Sequence, residues 1–390
     1  MSGAGVSCKE IFMRVWVLGR GVPTKRNNLL GSFEFEQAQM LKRAGHEVYY
    51  FGVNIRSARD WDRFGYRYES VAGIETASFS FPLYRIMSPV RSRSSMKKIF
   101  LKMADKMSAR FGAPDIIHVH YPAMWPYAAF ELFQKNGVRI VATEHWSQVM
   151  EKQINGVLKE NLSDFSKKCD ALICVSSGLE RSIRELTGTE RAIYVIPNFV
   201  SSAFSVKSAP HKGFNFICVG RVIPLKQFDK VISAFLETFG EKTDAVLTVA
   251  GGGTDFGKLS RLVADAGAEG RVKLLGTVPR EKMAEVMASA DALICYSVYE
   301  TFCVPIIEAW MSGKPVIVSS SLPLAQDNND GRLEKTVDCN DTDTLKAAML
   351  EMYEDHGSYD SEWIATYANE RFSEQAVSKQ LTDIYQQVMR

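Results

Sequence analysis

The sequence predicts an α/β protein built from two parallel-sheet domains of similar size. Three observations carry this. The chain has 390 residues, more than one ordinary domain holds. Short apolar runs rich in β-branched residues alternate with helix-period segments along nearly the whole length, the pattern of parallel strands joined by crossover helices. A stretch near Phe199–Lys212, following Pro197-Asn198, has serines, a proline and little apolar periodicity, and divides the two halves.

In the first half, Arg14–Leu18, Glu47–Val53, Ile116–His120, Arg139–Thr143, Ala171–Val175 and Ala192–Ile196 read as strands, with helices such as Phe33–Ala44 and Leu179–Leu186 between them. Gly45-His46 closes the first helix as a left-handed cap. In the second half the strands are Phe214–Val219, Ala245–Ala250, Val272–Leu275, Ala292–Cys295 and Pro315–Val318. The helix after the first of these places Phe228, Val231, Ile232, Phe235, Leu236 and Phe239 on one core-facing stripe. The last helix, Glu374–Met389, has Val377, Leu381, Ile384, Tyr385 and Val388 on one face, which suits packing on either domain.

Composition narrows the function classes. Hydrophobic residues make up 46% of the chain and charged residues 24%, which supports ordinary buried cores and excludes wholesale disorder. The net charge of +2 argues against a general nucleic-acid binder, so no nucleic-acid partner is expected. Seven cysteines, an odd number without metal-type spacing, read as reduced thiols of a cytoplasmic protein. No apolar run approaches the roughly 18 residues that span a bilayer. The N-terminus lacks a signal-peptide pattern, and residues Met1 to Phe12 read as a short disordered leader.

One segment stands apart in charge. From Arg85 to Arg110 eight cations face a single acid, Asp105, with Ile99, Phe100, Leu101, Met103 and Met107 interleaved. Either a helix lies here on an anionic lipid surface, giving a peripheral place on the inner face of the cell membrane, or a solvated helix packs its apolar side on the domain.

The candidate chemistry is concentrated in the second half. Val219-Gly220-Arg221 ends a strand, and Lys226 follows in the loop to the next helix. Arg221 offers a planar fork and Lys226 a point charge, so the two can hold a diphosphate; the alternative is two surface cations. Gly251-Gly252-Gly253 follows the next strand. Gly251 and Gly253 let backbone N–H groups approach a phosphate or sugar, or the run is a plain turn. A dinucleotide fingerprint fails, because its last glycine position is Phe256.

The strongest block is Tyr299-Glu300-Thr301-Phe302-Cys303-Val304-Pro305, leading into Ile306-Ile307-Glu308-Ala309. Pro305 suits the first turn of a helix, which leaves the N–H groups of Thr301, Phe302, Cys303 and Val304 to face an anion. Glu300 and Glu308 can accept hydrogen bonds from sugar and ribose hydroxyls. Alternatively Glu300 is an N-terminal helix charge, and Glu308 a surface residue, although its apolar neighbours mean that a carboxylate there needs a partner.

In the first half, His120 and His145 follow two strand ends, where ligands of open parallel sheets bind. Either is a site group or a structural histidine. His118 shares a face with His120, which lies nearer the strand end.

In this order and spacing the blocks resemble the retaining glycosyltransferases of family four. The resemblance covers most of the chain: Gly31-Ser32-Phe33-Glu34, Gly45-His46-Glu47-Val48, Val195-Ile196-Pro197-Asn198, Gly220-Arg221 with Lys226, the Glu300/Glu308 pair, and Gly313-Lys314-Pro315-Val316-Ile317. It implies the GT-B architecture, two Rossmann-like domains facing a central cleft. Residues 1–205, joined by the C-terminal helix 372–390, would form the acceptor-side domain, and residues 206–371 the nucleotide-sugar domain.

It also implies roles. His120 would contact the transferred sugar in the reaction centre, and Glu300 its hydroxyls. Glu308 would hold the ribose, Arg221 and Lys226 the leaving diphosphate, and Thr301 to Val304 would cap phosphate or sugar. Gly31, Ser32 and His145 would lie on the acceptor or sugar side. Transfer would retain anomeric configuration without a cofactor or a metal. The implied donor is a UDP-sugar, with GDP second, and the acceptor a glycan or lipid-linked sugar of cell-envelope polysaccharide synthesis. Alternatives are an epimerase or phosphorylase on the same fold, or a non-catalytic nucleotide- or sugar-binding homologue.

The chain departs from the family pattern at Cys303 and Gln227, where glycine is usual, and at Ser319-Ser320-Ser321, which lacks the usual glycine pair and acid. Asp341-Thr342-Asp343 matches a metal signature of another architecture but reads as a helix cap.

Overall fold

A computed structural model describes residues 12–23, 31–56, 64–82, 89–124, 126–134, 137–207, 211–240, 243–328 and 330–390. Residues 1–11 of the leader read over Met1 to Phe12, and the start of the basic segment, including Arg85, lie outside these. The chain divides into two compact units. The first holds Met1–Val175, Leu179–Ile196 and Ser378–Arg390, and the second Ser176–Gly178 and Pro197–Val377. The division falls at Ile196/Pro197, ahead of the boundary read from sequence. Val200 explains the difference: its N–H donates to Phe372 O at 2.9 Å, and it bridges to Ser373, which ties the linker to the second unit.

The first unit runs β1 (Arg14–Gly19), α1 (Ser32–Arg43), β2 (Glu47–Arg56), β3 (Gly65–Val71), β4 (Ile74–Pro82), α2 (Pro89–Phe111), β5 (Ile116–His120), α3 (Tyr127–Gln134), β6 (Arg139–Glu144), α4 (Ser147–Met150), α5 (Gly156–Lys168), β7 (Ala171–Cys174), α6 (Ser177–Thr187, entering from the second unit) and β8 (Ile193–Val195). Its eight-stranded sheet has the order β3-β4-β2-β1-β5-β6-β7-β8. Only the β3–β4 pair is antiparallel. The sequence did not announce β3 or β4. β3 is an edge strand of mostly half-exposed and exposed residues, so it lacks the apolar run that marks a buried parallel strand.

The second unit runs β9 (Asn215–Val219), a 3-10 turn (Pro224–Lys226), α7 (Phe228–Thr238), β10 (Val246–Ala250), α8 (Phe256–Asp265), β11 (Val272–Gly276), α9 (Arg280–Ala288), β12 (Ala292–Cys295), α10 (Val304–Met311), β13 (Val316–Ser319), α11 (Pro323–Asn328), β14 (Glu334–Val337), α12 (Thr342–Glu354) and α13 (Ser361–Phe372). Its six strands are all parallel in the order β11-β10-β9-β12-β13-β14. The stripe read on α7 is the core side. Phe228, Val231, Ile232, Phe235 and Phe239 are buried, and Phe216 of β9 meets Phe239 at 5.8 Å between ring centres. Each such side chain contributes roughly 1.5–3 kcal/mol by leaving water. α14 (Glu374–Met389) passes into the first unit, where Leu381, Ile384 and Tyr385 are buried.

α2 turns its apolar residues inward. Met96, Ile99, Phe100, Met103 and Met107 are buried, whereas Leu101, Lys98, Lys102, Lys106 and Arg110 are exposed. Lys102 and Lys106 lie over the rings of Tyr66 and Tyr68 in β3. Asp341 caps α12, its carboxylate accepting from the N–H groups of Asp343 and Thr344. Among the described residues no helix is long and apolar enough to cross a membrane.

Candidate functional site

Each sheet changes winding direction once. In the second unit the chain steps outward from β9 through β10 to β11, then restarts on the other side at β12. In the first unit the corresponding neighbours are β1 and β5. Loops leaving the carboxyl ends of such neighbours run apart and leave a crevice, the usual ligand position in open parallel sheets.

In the second unit the loops after β9, β10 and β12 carry the candidate residues. Lys226, on the turn after β9, forms an ion pair with Glu300, in the loop after β12. Both side chains are mostly buried, at 12% and 18% exposure, so the pair is shielded far better than a surface salt bridge. Burial works against the Lys226 ammonium, but Cys303, Glu300 and Cys295 outweigh it and hold the lysine above its usual value. Arg221 is exposed on the same loop.

The glycines after β10 are explained first by packing. A Cβ on Gly251 would overlap the Gly220 carbonyl, and one on Gly253 the Val222 carbonyl. The two loops are laced together by Gly220 N–H to Ala250 O and Val222 N–H to Gly252 O, at 3.1 and 3.0 Å.

Both positions where this chain replaces the family glycine have left-handed backbone. Gln227 has φ +51° and Cys303 has φ +70°. A side chain costs of order 1 kcal/mol there, which is why glycine is favoured. Gln227 is buried, and its amide donates to Tyr296 O and Cys339 O, each at 3.1 Å, which offsets the strain and ties β9's loop to β12 and to the chain beyond β14.

Cys303 is the N-cap of α10, with Pro305 in the first turn as the sequence predicted. Its Sγ lies 3.2 Å from Sγ of Cys295, and both thiols are buried. Thr301 and Val304 are half-buried beside it. The Phe302 ring is buried and packs toward Phe372 of α13, 6.1 Å between ring centres, so only its backbone remains for a ligand. Glu308 is buried one turn into α10.

In the first unit, His120 ends β5 and is fully buried. Its Nδ1 lies 2.9 Å from Nε2 of His145, the residue after β6, and the rings stack 5.1 Å apart. His118 stacks on the other face at 4.5 Å, confirming the shared strand face. The two differ in what remains free. His118 has both nitrogens engaged, with Tyr385 Oη and Thr143 Oγ1, each at 2.6 Å. His120 Nε2 has no hydrogen-bond partner among the described residues. Burial drives the His118 pKa down to about 3, and burial with the neighbouring His118, His145 and Arg20 drives His120 well below its usual value. Both are neutral imidazoles. Gly31, at φ +75°, precedes α1, and the buried Ser32 begins it.

Two charged residues of this cluster, Arg20 and Glu144, were missed by sequence reasoning. Arg20 pairs with the buried Glu34 at 2.9 Å and lies 3.7 Å over the ring of Tyr121. Glu144, fully buried at the end of β6, accepts from the N–H groups of His145 and Trp146, both at 2.9 Å, and from Ala123. Its other oxygen has no hydrogen-bond partner among the described residues, and burial lifts its pKa to about 7. The available signal was position: Arg20 directly follows β1, and Glu144 stands at the last residue of β6.

Two parallel-sheet units are the layout of the GT-B fold, and the family matches give the class, a glycosyltransferase. Residues 34–204 match the family described as Glycosyltransferase Family 4, and residues 201–371 the one described as Glycosyl transferases group 1. The chain belongs to this group 1, family 4 glycosyltransferase family.

Among curated relatives, the N-acetyl-alpha-D-glucosaminyl L-malate synthase of Bacillus anthracis is 23% identical over 378 residues, 91% of this chain and 93% of that one. The lipopolysaccharide core biosynthesis glycosyltransferase LpsE of Rhizobium meliloti is 24% identical over 301 residues, 76% of this chain and 81% of that one. Among solved structures, sucrose-phosphate synthase from Thermosynechococcus elongatus superposes with a TM-score of 0.75 at 16% identity, covering 96% of this chain and 98% of that one. Anabaena Alr3699/HepE in complex with UDP gives 0.73 at 14% identity, over 96% and 99%. These structural likenesses establish the fold.

Proposed function

We propose that the protein transfers a hexose-type sugar, with retention and without a metal, from a nucleoside diphosphate donor to a glycan or lipid-linked acceptor of cell-envelope polysaccharide synthesis. The carrying observation is the shielded Lys226–Glu300 pair beside the start of α10. In the free protein Glu300 neutralises Lys226. A donor diphosphate would take Lys226 and Arg221 as its counterions and release Glu300 to accept hydrogen bonds from the sugar hydroxyls. As the bond from the anomeric carbon to the diphosphate oxygen breaks, charge grows on the leaving group where these cations are already fixed. A bond to the acceptor oxygen forms, and the acceptor's proton leaves with the diphosphate. Glu308 is assigned to the ribose. His120 presents a neutral, unpartnered Nε2 for a hydroxyl of the transferred sugar, braced by His145, and Gly31 and Ser32 are assigned to the acceptor side.

UDP is the favoured nucleotide and GDP the second. The structural neighbour solved with UDP and the lipopolysaccharide-core relative support this choice of donor and acceptor class. The test is a thermal-shift screen with UDP, GDP, ADP and NAD, using Arg221→Ala/Lys226→Ala as control. Stabilisation by one diphosphate that disappears in the control supports the reading. Stabilisation by NAD alone, or by no diphosphate, sinks it.

A peripheral contact with an anionic bilayer through Arg85–Arg110 belongs to the same proposal. It rests on the exposed cations of α2 alone, because the interleaved apolar residues other than Leu101 face the core. Such a contact is electrostatic, so co-sedimentation with anionic liposomes must weaken as salt rises. Failure to co-sediment at any salt removes it.

A further inference from the structure

The Cys295–Cys303 contact has no part in the sugar-transfer chemistry. Cys295 ends β12 and Cys303 caps α10, so between them they bracket the loop that carries Glu300, Thr301 and Phe302. Their sulfurs are 3.2 Å apart, in contact but not bonded, and their residues are 6% and 5% exposed. That admits a small reagent and excludes a bulky disulfide. Cys303 occupies a left-handed position that favours glycine, so the thiol is placed there against a backbone preference. The pair also feels the charge of Lys226 and Glu300.

We propose that Cys295 and Cys303 form a peroxide-responsive dithiol whose oxidation to a disulfide clamps the Glu300 loop and weakens nucleoside diphosphate binding. Cys295 reacts first. The Cys303 S–H donates to its sulfur and the Lys226 ammonium lies nearby, which pulls the Cys295 pKa below the usual thiol value. The Cys295 sulfur attacks one oxygen of hydrogen peroxide; the O–O bond breaks, an S–O bond forms, and hydroxide leaves to take up a proton. The Cys303 sulfur then attacks the Cys295 sulfur; the S–S bond forms, the S–O bond breaks, and the second hydroxide leaves as water. Two thiols lose two electrons to the peroxide, and their two protons end in two waters. Bond formation draws Cys303 toward β12, and with it the first residues of α10 that are assigned to the donor.

The cross-link is independent of the function proposed above, whereas the effect on binding rests on it. The test treats the full chain with hydrogen peroxide, removes the oxidant, alkylates remaining thiols and weighs the tryptic fragment Met283–Arg332, which holds both cysteines because trypsin passes over the Lys314–Pro315 bond. The expected fragment has lost two hydrogens and both alkylation sites, and a dithiol reductant restores them. In parallel, thermal shift with UDP should report an affinity loss of about tenfold on oxidation, reversed by reductant and absent in Cys295→Ser. A fragment that still takes two alkyl groups overturns the proposal. So does a cross-link from Cys295 to Cys218 on the neighbouring strand β9, or oxidation that stops at sulfinic acid. A clean disulfide with unchanged UDP affinity overturns the effect on binding. A reduced protein that answers to no diphosphate overturns the donor reading instead, and the fragment mass still decides the cross-link.

Discussion

In the second unit the loops after β9 and β12 hold a cation against a carboxylate, with an exposed arginine and two thiols beside them. In the first unit the ends of β5 and β6 hold stacked imidazoles, of which His118 and His120 are fully buried, and a buried carboxylate, Glu144, whose pKa is lifted to about 7. Both clusters occupy the same topological place, the carboxyl ends of strands at a switch point. Their chemistry differs as the proposed partners differ. A leaving diphosphate needs fixed positive charge. A sugar hydroxyl needs a neutral donor or acceptor, and an imidazolium beside a nascent oxocarbenium centre would oppose the reaction. On the proposed function, position in the fold selects where the two clusters form, and local desolvation and pairing set their kind.

The comparison can be broken most sharply at Lys226. Lys226→Ala should lower kcat/KM by about 10²–10³ and abolish stabilisation by UDP, since it removes a fixed cation at the leaving group. Activity within threefold of wild type would remove the charged cluster from the reaction. His120→Ala should cost about 10² in kcat through lost positioning. Its UDP-induced thermal shift should stay at the wild-type level, because His120 belongs to the other unit. Equal loss of both readouts would erase the division of labour between the two clusters.

The neutral character of the first cluster makes a pH prediction. Folding holds His118 at a pKa of about 3 against 6.5 when exposed. The unfolded chain therefore takes up this proton first as pH falls, so the stability is complete above about pH 6.5 and is lost toward pH 3. Between pH 7 and pH 5 this amounts to about 2 kcal/mol, and His120 acts in the same direction. Glu144 opposes it. Its raised pKa, from 4.5 to about 7, favours the folded state at low pH and is lost as pH rises through 7. By urea unfolding, Glu144→Gln should lose more stability than wild type on going from pH 7 to pH 5. A variant with the same pH slope as wild type would show that Glu144 does not titrate in this range. The smallest effect is expected at Gln227→Gly. Relief of left-handed strain and loss of two buried amide hydrogen bonds nearly cancel, leaving the midpoint within about 1 kcal/mol of wild type.

Most of the fold was legible because parallel strands buried on both faces read as short β-branched runs. The strands that escaped, β3, β4 and β14, are at or beside sheet edges; β3 and β14 carry exposed or charged residues, so the apolar signal is diluted. The candidate residues could be named from sequence where a chemically able residue type stands at a strand end or in the loop after it, as at His120, Lys226 and Glu300. Contacts between loops distant in sequence were not. Nothing in the spacing of Cys295 and Cys303 announces touching sulfurs, because the contact depends on the left-handed turn at Cys303, which the residue type disguises. Glu34 and Arg20 meet only because α1 returns over β1.

The join between α14 and β5 has a consequence for synthesis on the ribosome. Tyr385 fills the core of the first unit and supplies the hydroxyl for buried His118, and Thr382 does the same for His46 at 2.9 Å. Yet these residues are translated only after the whole second unit. The amino-terminal unit, which in most multidomain chains matures first, must here wait with an open seam until its closing helix leaves the exit tunnel. The second unit is the one able to finish folding while the chain is still tethered, and a stalled or truncated product lacking residues 378–390 would be a target for chaperones rather than a working half-enzyme.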